Sequence, residues 1–156
     1  MNTVAAPAAN EQALVLRRVF DAPKETVFRL WSDPSRVKQW WHPKGFTTTR
    51  FEMDFREGGA YRFTVRSEAR ESSAHGVYRV IEAPHRIAMS FQWDSGDTAR
   101  DQQTLVTLTF EDQGADRTLL TFRQEPFDSE AERTSHGQGW GQVLDAFAEA
   151  LAGAKS

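Results

Sequence analysis

Three side chains in this sequence combine acid–base chemistry with positions from which they could face an interior: His75, Tyr78 and His136. An imidazole titrates near neutral pH and can serve as general base or acid, and a phenol can donate a proton to a carbonyl or enolate. The other two histidines, His42 and His85, each stand beside a proline in a turn and read as structural. No pair of histidines has the spacing of metal ligands and no carboxylate cluster accompanies one, so no metal is expected. The chain has no cysteine, which excludes disulfides, thiol nucleophiles, thiolate-bound zinc and iron–sulfur clusters. It has no G-x-S-x-G turn for a serine nucleophile, and Gly58-Gly59 is not followed by the lysine of a phosphate loop. No cofactor is implied.

The composition points to a different chemistry. Among 156 residues there are 11 Phe, 5 Trp and 2 Tyr, beside 39% hydrophobic and 26% charged residues and a net charge of −3. That balance is of a folded chain with no electrostatic reason to bind nucleic acid. Tyr61, Phe63, Met89, Phe91 and Trp93 fall on the apolar parity of alternating segments and form the expected wall of a concave apolar site. Val65, Phe122 and the amide Gln124 extend that wall along the strands. Trp140, Leu144 and Phe147 supply it from a helix, and Trp41, Phe46 and Met53 border the same space. Gln124 could orient a ligand carbonyl or hydroxyl, or bond the backbone. Trp31 reads as core. Trp40 and Trp41 cannot both face inward from one helix, so one of them is expected at a cavity mouth.

The elements that position these residues follow from periodicity. Residues 12–20 read as a strand, and Asp21-Ala22-Pro23 starts a short helix with Pro23 in its first position. Val27, Leu30 and Trp31 repeat at helical spacing, and Ser32-Asp33-Pro34 starts a second helix running to Trp40. This pair lacks the basic residues of a DNA reader. From Thr47 to Gln124 the period is two, broken by turn residues at Glu57-Gly58-Gly59, Ala83-Pro84-His85, Asp94-Ser95-Gly96-Asp97 and Asp112-Gln113-Gly114, as in antiparallel hairpins with one covered face. Asp54, Arg56 and Glu57 read as solvated charges beside a glycine turn. Ser129-Glu130-Ala131-Glu132 forms a capping box for a helix that buries Trp140, Val143, Leu144, Phe147 and Leu151. Over residues 130–151 that helix spans roughly 30 Å. Gly137, Gly139 and Gly141 each cost it about 1 kcal/mol relative to alanine. They predict either a bend or a stretch where the helix leaves room beside the sheet. Residues 1–11 read as a disordered tail and 12–153 as one domain. No segment has the length and apolarity of a signal peptide or membrane span, so a cytoplasmic location is expected.

In order and spacing, several segments resemble the START-like (SRPBCC, helix-grip) superfamily, and within it the group related to the C-terminal domain of activators of Hsp90 ATPase. The matching segments run from Arg18-Val19-Phe20-Asp21-Ala22-Pro23 through Val27-Phe28 and Trp31 to Trp40-Trp41, Pro43 and Gly45-Phe46. They continue with Asp54, Arg56-Glu57-Gly58-Gly59, Gly76-Val77-Tyr78-Arg79-Val80, Pro84-His85-Arg86-Ile87, residues 118–122, and Gly139-Trp140 with Leu144. The resemblance implies an α+β fold in which a curved antiparallel sheet of about six or seven strands wraps a long C-terminal helix, with two short helices after the first strand. It further implies an apolar cavity that binds a small hydrophobic molecule of lipid, sterol or polyketide type. Two alternatives stay open: a cyclase-, aromatase- or hydrolase-type enzyme using His75, Tyr78 or His136 in that cavity, and a protein-interaction or chaperone-related module. Monomer and homodimer are both compatible with the sequence.

Overall fold

Alternation of apolar and polar side chains, clearest in β3, β6 and β7, makes the strands two-faced, and seven strands pair into one antiparallel sheet. The computed structural model describes residues 13–96, 101–127 and 129–155; the expected tail over residues 1–11 lies outside them. Chain order is β1 (Leu14–Phe20), α1 (Lys24–Ser32), α2 (Pro34–Trp40), β2 (Thr47–Met53), β3 (Ala60–Arg66), β4 (Glu71–Glu82), β5 (Arg86–Trp93), β6 (Thr104–Asp112), β7 (Thr118–Glu125) and α3 (Glu130–Lys155). The sheet order is β1-β7-β6-β5-β4-β3-β2. Strands β2 to β7 are therefore successive neighbours, and β1 closes against β7 in the register Leu14↔Gln124 to Phe20↔Thr118. One sheet face is dry, the other wet, and the long helix covers the dry one. This is the α+β helix-grip architecture that the sequence predicts.

The helix boundaries follow local chemistry. Pro23 caps α1 from one position outside it instead of occupying its first turn. Asp33 caps α2, its carboxylate accepting from the Ser35 N–H at 3.0 Å and the Ser35 hydroxyl at 2.8 Å. These bonds, with Arg36 nearby, hold the Asp33 carboxyl below the usual carboxylate range. For α3 the Ser129 hydroxyl accepts from the Glu132 N–H at 3.1 Å, half of the anticipated capping box.

Both Trp40 and Trp41 are buried, which corrects the expectation that only one of them faces inward. The helix ends at Trp40, and Trp41 has left helical geometry with φ −82° and ψ 73°. Both rings can therefore enter the core side by side, 5.6 Å apart between centroids. Trp40 packs on Trp31 and Phe147, with ring centroids 4.5 and 4.8 Å away, and its indole N–H donates to the Leu30 carbonyl at 3.1 Å. Trp41 turns toward α3 and meets Trp140 edge-on at 5.3 Å.

The glycines of α3 leave room. The helix is continuous over 26 residues, about 39 Å at 1.5 Å per residue. A Cβ on Gly137 would stand 3.1 Å from Leu14 Cδ1, and one on Gly141 3.6 Å from the Arg18 guanidinium. The helix thus rests closely on β1, where Arg18 also pairs with Asp145 at 2.8 Å. Gly139 has nothing within 4 Å of its missing Cβ, because that side of the helix borders an open space.

A second glycine answers a closer approach. A Cβ on Gly76 would lie 1.8 Å from the Ser90 carbonyl oxygen and 2.6 Å from Tyr61 Cε2. Just beyond it the β4–β5 register shifts between Tyr78 and Val80, a bulge of the kind that increases local twist. Among the described residues no helix is long and apolar enough to cross a membrane.

Candidate functional site

The open space beside Gly139 is a pocket of about 260 Å³ between β3, β4, β5 and the front of α3. Its apolar walls are Phe63 and Val65 from β3, Phe91 and Trp93 from β5, and Trp140 with Val143 from α3. Trp41, Pro43 and Phe46 cover it from the segment that leaves α2. That segment is fastened at two points. The Thr48 hydroxyl donates to the Trp41 carbonyl, and the Lys44 N–H donates to Gln142 Oε1 at 3.0 Å. Polar groups follow the rim: Arg70 and Ser72 on the sheet side, and Glu132, Ser135 and Gln138 on the helix side.

The aromatic rings meet edge to face. Phe91 lies 5.2 Å from Trp93 at 87° and 5.6 Å from Trp140 at 67°, and Trp41 lies 5.4 Å from Phe63 at 64°. Perpendicular rings satisfy one another's quadrupoles and keep the walls from collapsing into a parallel stack.

A directed chain of hydrogen bonds holds Trp140 in place. Its indole N–H donates to Gln124 Oε1 at 2.8 Å. The Gln124 amide donates to the Thr104 hydroxyl at 2.9 Å, and that hydroxyl donates to the Phe91 carbonyl at 3.2 Å. Every donor in the chain meets an acceptor, which ties α3 to β7, β6 and β5 through fully buried groups. Gln124 is 0% exposed and serves the protein's own indole rather than the backbone.

His136 is also committed. Trp93 Nε1 lies 3.0 Å from His136 Nε2, and His136 Nδ1 lies 2.9 Å from the Glu132 carbonyl. An indole nitrogen only donates and a carbonyl only accepts, so the imidazole carries its proton on Nδ1 and accepts at Nε2. It reaches the pocket wall with both ring nitrogens engaged.

Of the residues read from the sequence as ligand-facing, Trp41, Phe46, Phe63, Val65, Phe91, Trp93 and Trp140 reach the pocket. The others stand outside it. Met53, Tyr61 and Met89 lie farther along the sheet, Phe122 and Gln124 lie beneath Trp140, and Leu144 and Phe147 lie on later turns of α3. All seven belong to the core or pack on it, and none borders the pocket. Parity identifies the covered face of a sheet but not the part of that face left uncovered.

Two of the three acid–base candidates also stand outside the pocket. His75 sits on the opposite sheet face, across from Arg62 and Gln92 in register, with Nδ1 2.7 Å from Asp94 Oδ1. Arg62 reaches the other oxygen of that carboxylate at 2.8 Å. Tyr78 points inward but below the pocket, its hydroxyl 3.9 Å from Met53 Sδ. Burial pushes both the Tyr78 and Tyr61 phenols well above their ordinary range, so each stays neutral; Tyr61 donates to the Ser90 carbonyl at 2.6 Å.

Sequence reasoning passed over Arg70, Ser72, Gln138 and Gln142 as pocket residues. Arg70 stands in a hairpin tip outside the alternation, where no periodic signal reaches. Gly139 carried a usable signal, since a glycine amid a strong helix pattern marks either a bend or a space.

Among the described residues no cluster of histidines and carboxylates could hold a metal ion. The sequence profile of activator of Hsp90 ATPase homolog 1-like proteins matches residues 21–152. The chain belongs to this family. Solved structures share its fold over nearly the whole length. Protein CV1439 from Chromobacterium violaceum is 26% identical with a TM-score of 0.79, over 90% of this chain and 97% of that one. The AHSA1 protein from Silicibacter pomeroyi is 23% identical with a TM-score of 0.80 over the same shares. CalU16 from Micromonospora echinospora is 24% identical with a TM-score of 0.68, over 89% of this chain and 75% of that one. No curated protein matches the chain. Within this AHSA1-like fold the pocket occupies the grip between sheet and helix.

Proposed function

We propose that this AHSA1-like protein binds a small, ring-containing apolar molecule in the pocket beside Gly139. The observation that carries this reading is the convergence of Trp41, Phe63, Phe91, Trp93 and Trp140 on a space of about 260 Å³. That volume falls just under the roughly 300–1,000 Å³ of pockets for drug-sized ligands. It favours a molecule of one or two rings, such as a polyketide fragment, over a sterol.

The enzyme reading receives less support. A general base needs a free lone pair within hydrogen-bond reach of its substrate, and both nitrogens of His136 are engaged by Trp93 and Glu132. The chaperone-related reading needs a contiguous apolar surface. The exposed large apolar residues among those described are Val15, Val19 and Leu105. Arg17 separates the first two, and Leu105 stands two strands away on β6.

Native mass spectrometry of the purified protein, with organic extraction of what co-purifies, tests the proposal. Gly139→Leu is the informative variant, because Gly139 lines the pocket and a Cβ there meets nothing within 4 Å. A passenger, or a thermal shift with a panel of small aromatics, should be present in the wild type and lost in the variant. Binding that survives Gly139→Leu undiminished, or a wild type that is empty and silent to the panel, would overturn it.

A further inference from the structure

We infer that the molecule held in this pocket is an acid, with its rings among the aromatic walls and its carboxylate on Arg70. The inference rests on the pocket function proposed above and adds the polar half of the ligand. Arg70 is the one lysine or arginine among the described residues lining the pocket.

Its backbone is fixed by the hairpin tip. The Ser67 N–H donates to the Arg70 carbonyl at 2.8 Å, and the Ser67 hydroxyl accepts from the Arg70 N–H at 3.2 Å. Its guanidinium lies 5.7 Å from the centre of the Phe46 ring. A ring face answers the charge of a guanidinium but accepts none of its five N–H donors in their own plane. Among the described residues no carboxylate is within ion-pair distance of Arg70, whereas Arg18 and Arg62, for example, each have one. A planar carboxylate accepts two parallel N–H bonds from such a fork.

The other polar groups of the wall offer less. Gln142 Oε1 is occupied by the Lys44 N–H, and His136 by Trp93 and Glu132. Ser72, Ser135 and Gln138 are uncharged. Glu132 is the opposing charge, carried on α3 while Arg70 is on the β3–β4 hairpin. The mouth is thus polar in a direction, and an acid would enter with its anion toward the sheet side.

Three probes of one shape decide the matter: naphthalene-2-carboxylate, naphthalene-2-methanol and naphthalen-2-ylmethylammonium, titrated by tryptophan fluorescence and calorimetry. The carboxylate should bind the wild type about tenfold more tightly than the alcohol, and the advantage should shrink as salt rises. Arg70→Gln should abolish that advantage, so that acid and alcohol bind the variant alike, and Arg70→Lys should restore only part of it. Equal binding of acid and alcohol would overturn the inference and leave the apolar pocket intact. A preference for the amine, cancelled by Glu132→Gln, would put the ligand's polar end on the helix side and also overturn it. Failure of all three to bind would overturn the pocket function, and the inference with it.

Discussion

Gln124 is the residue whose loss should be felt farthest from its own position. Replacing it with Leu keeps the volume but strands the Trp140 indole N–H in a buried place, while the Thr104 hydroxyl keeps its bond to the Phe91 carbonyl. An unpaired buried donor costs about 1–3 kcal/mol, and chemical denaturation should show a loss of that size. Ligand affinity should fall as well, because Trp140 loses the bond that orients it. Gln124→Glu is a useful companion, since it keeps an acceptor for the indole but loses the amide donor to Thr104. Which way Gln124 points was legible in the sequence from the parity it shares with Leu120 and Phe122. Its partner was not, because Trp140 and Thr104 meet it only through tertiary packing. The same limit applied to His75 and Tyr78. They sit near a strand bulge and on a strand with apolar residues on both faces, so alternation could not assign them. A side chain in a regular strand can be placed by counting, whereas one in a hairpin tip such as Arg70 cannot.

At the scale of elements, the glycines make opposing predictions. Gly76→Ala puts a methyl group into the Ser90 carbonyl and should damage the β4–β5 pairing by more than about 3 kcal/mol, seen as loss of soluble protein or a much lower melting temperature. Gly139→Ala meets nothing within 4 Å and removes a helix-weakening residue, so thermal unfolding should show a gain of up to about 1 kcal/mol. The added methyl also narrows the pocket, and the same variant should bind a ring-sized ligand more weakly. Stability and binding moving in opposite directions would mark Gly139 as kept for space rather than for the helix. The two short helices, the strand run and the closing helix were all readable from periodicity and capping residues. The joint burial of Trp40 and Trp41 was not, because it depends on α2 stopping at Trp40. Helix termination is set by how the next segment docks, and here that segment is held by Thr48 and Gln142.

For the molecule as a whole, the buried phenols set an alkaline boundary. Both tyrosines of the chain, Tyr61 and Tyr78, titrate above the ordinary phenol value of 10.0 because burial disfavours the phenolate. Their contribution to stability is therefore complete below about pH 10, where folded and unfolded chains are both protonated. Above it the unfolded chain sheds protons that the folded one keeps, and stability declines as pH rises. Tyrosinate absorbance and loss of far-ultraviolet circular dichroism should then appear together. Tyrosinate forming in a still-folded protein would contradict the burial of these rings. The strand order carries one more consequence, for the protein as it is being made. Strands β2 to β7 each find a partner in the hairpin beside them, but β1 leaves the ribosome first and can pair only with β7, the last strand of all. Until β7 emerges, Leu14, Leu16 and Phe20 have no sheet to join. The nascent chain must carry β1 unpaired until β7 follows it, so completion of the sheet is a late event.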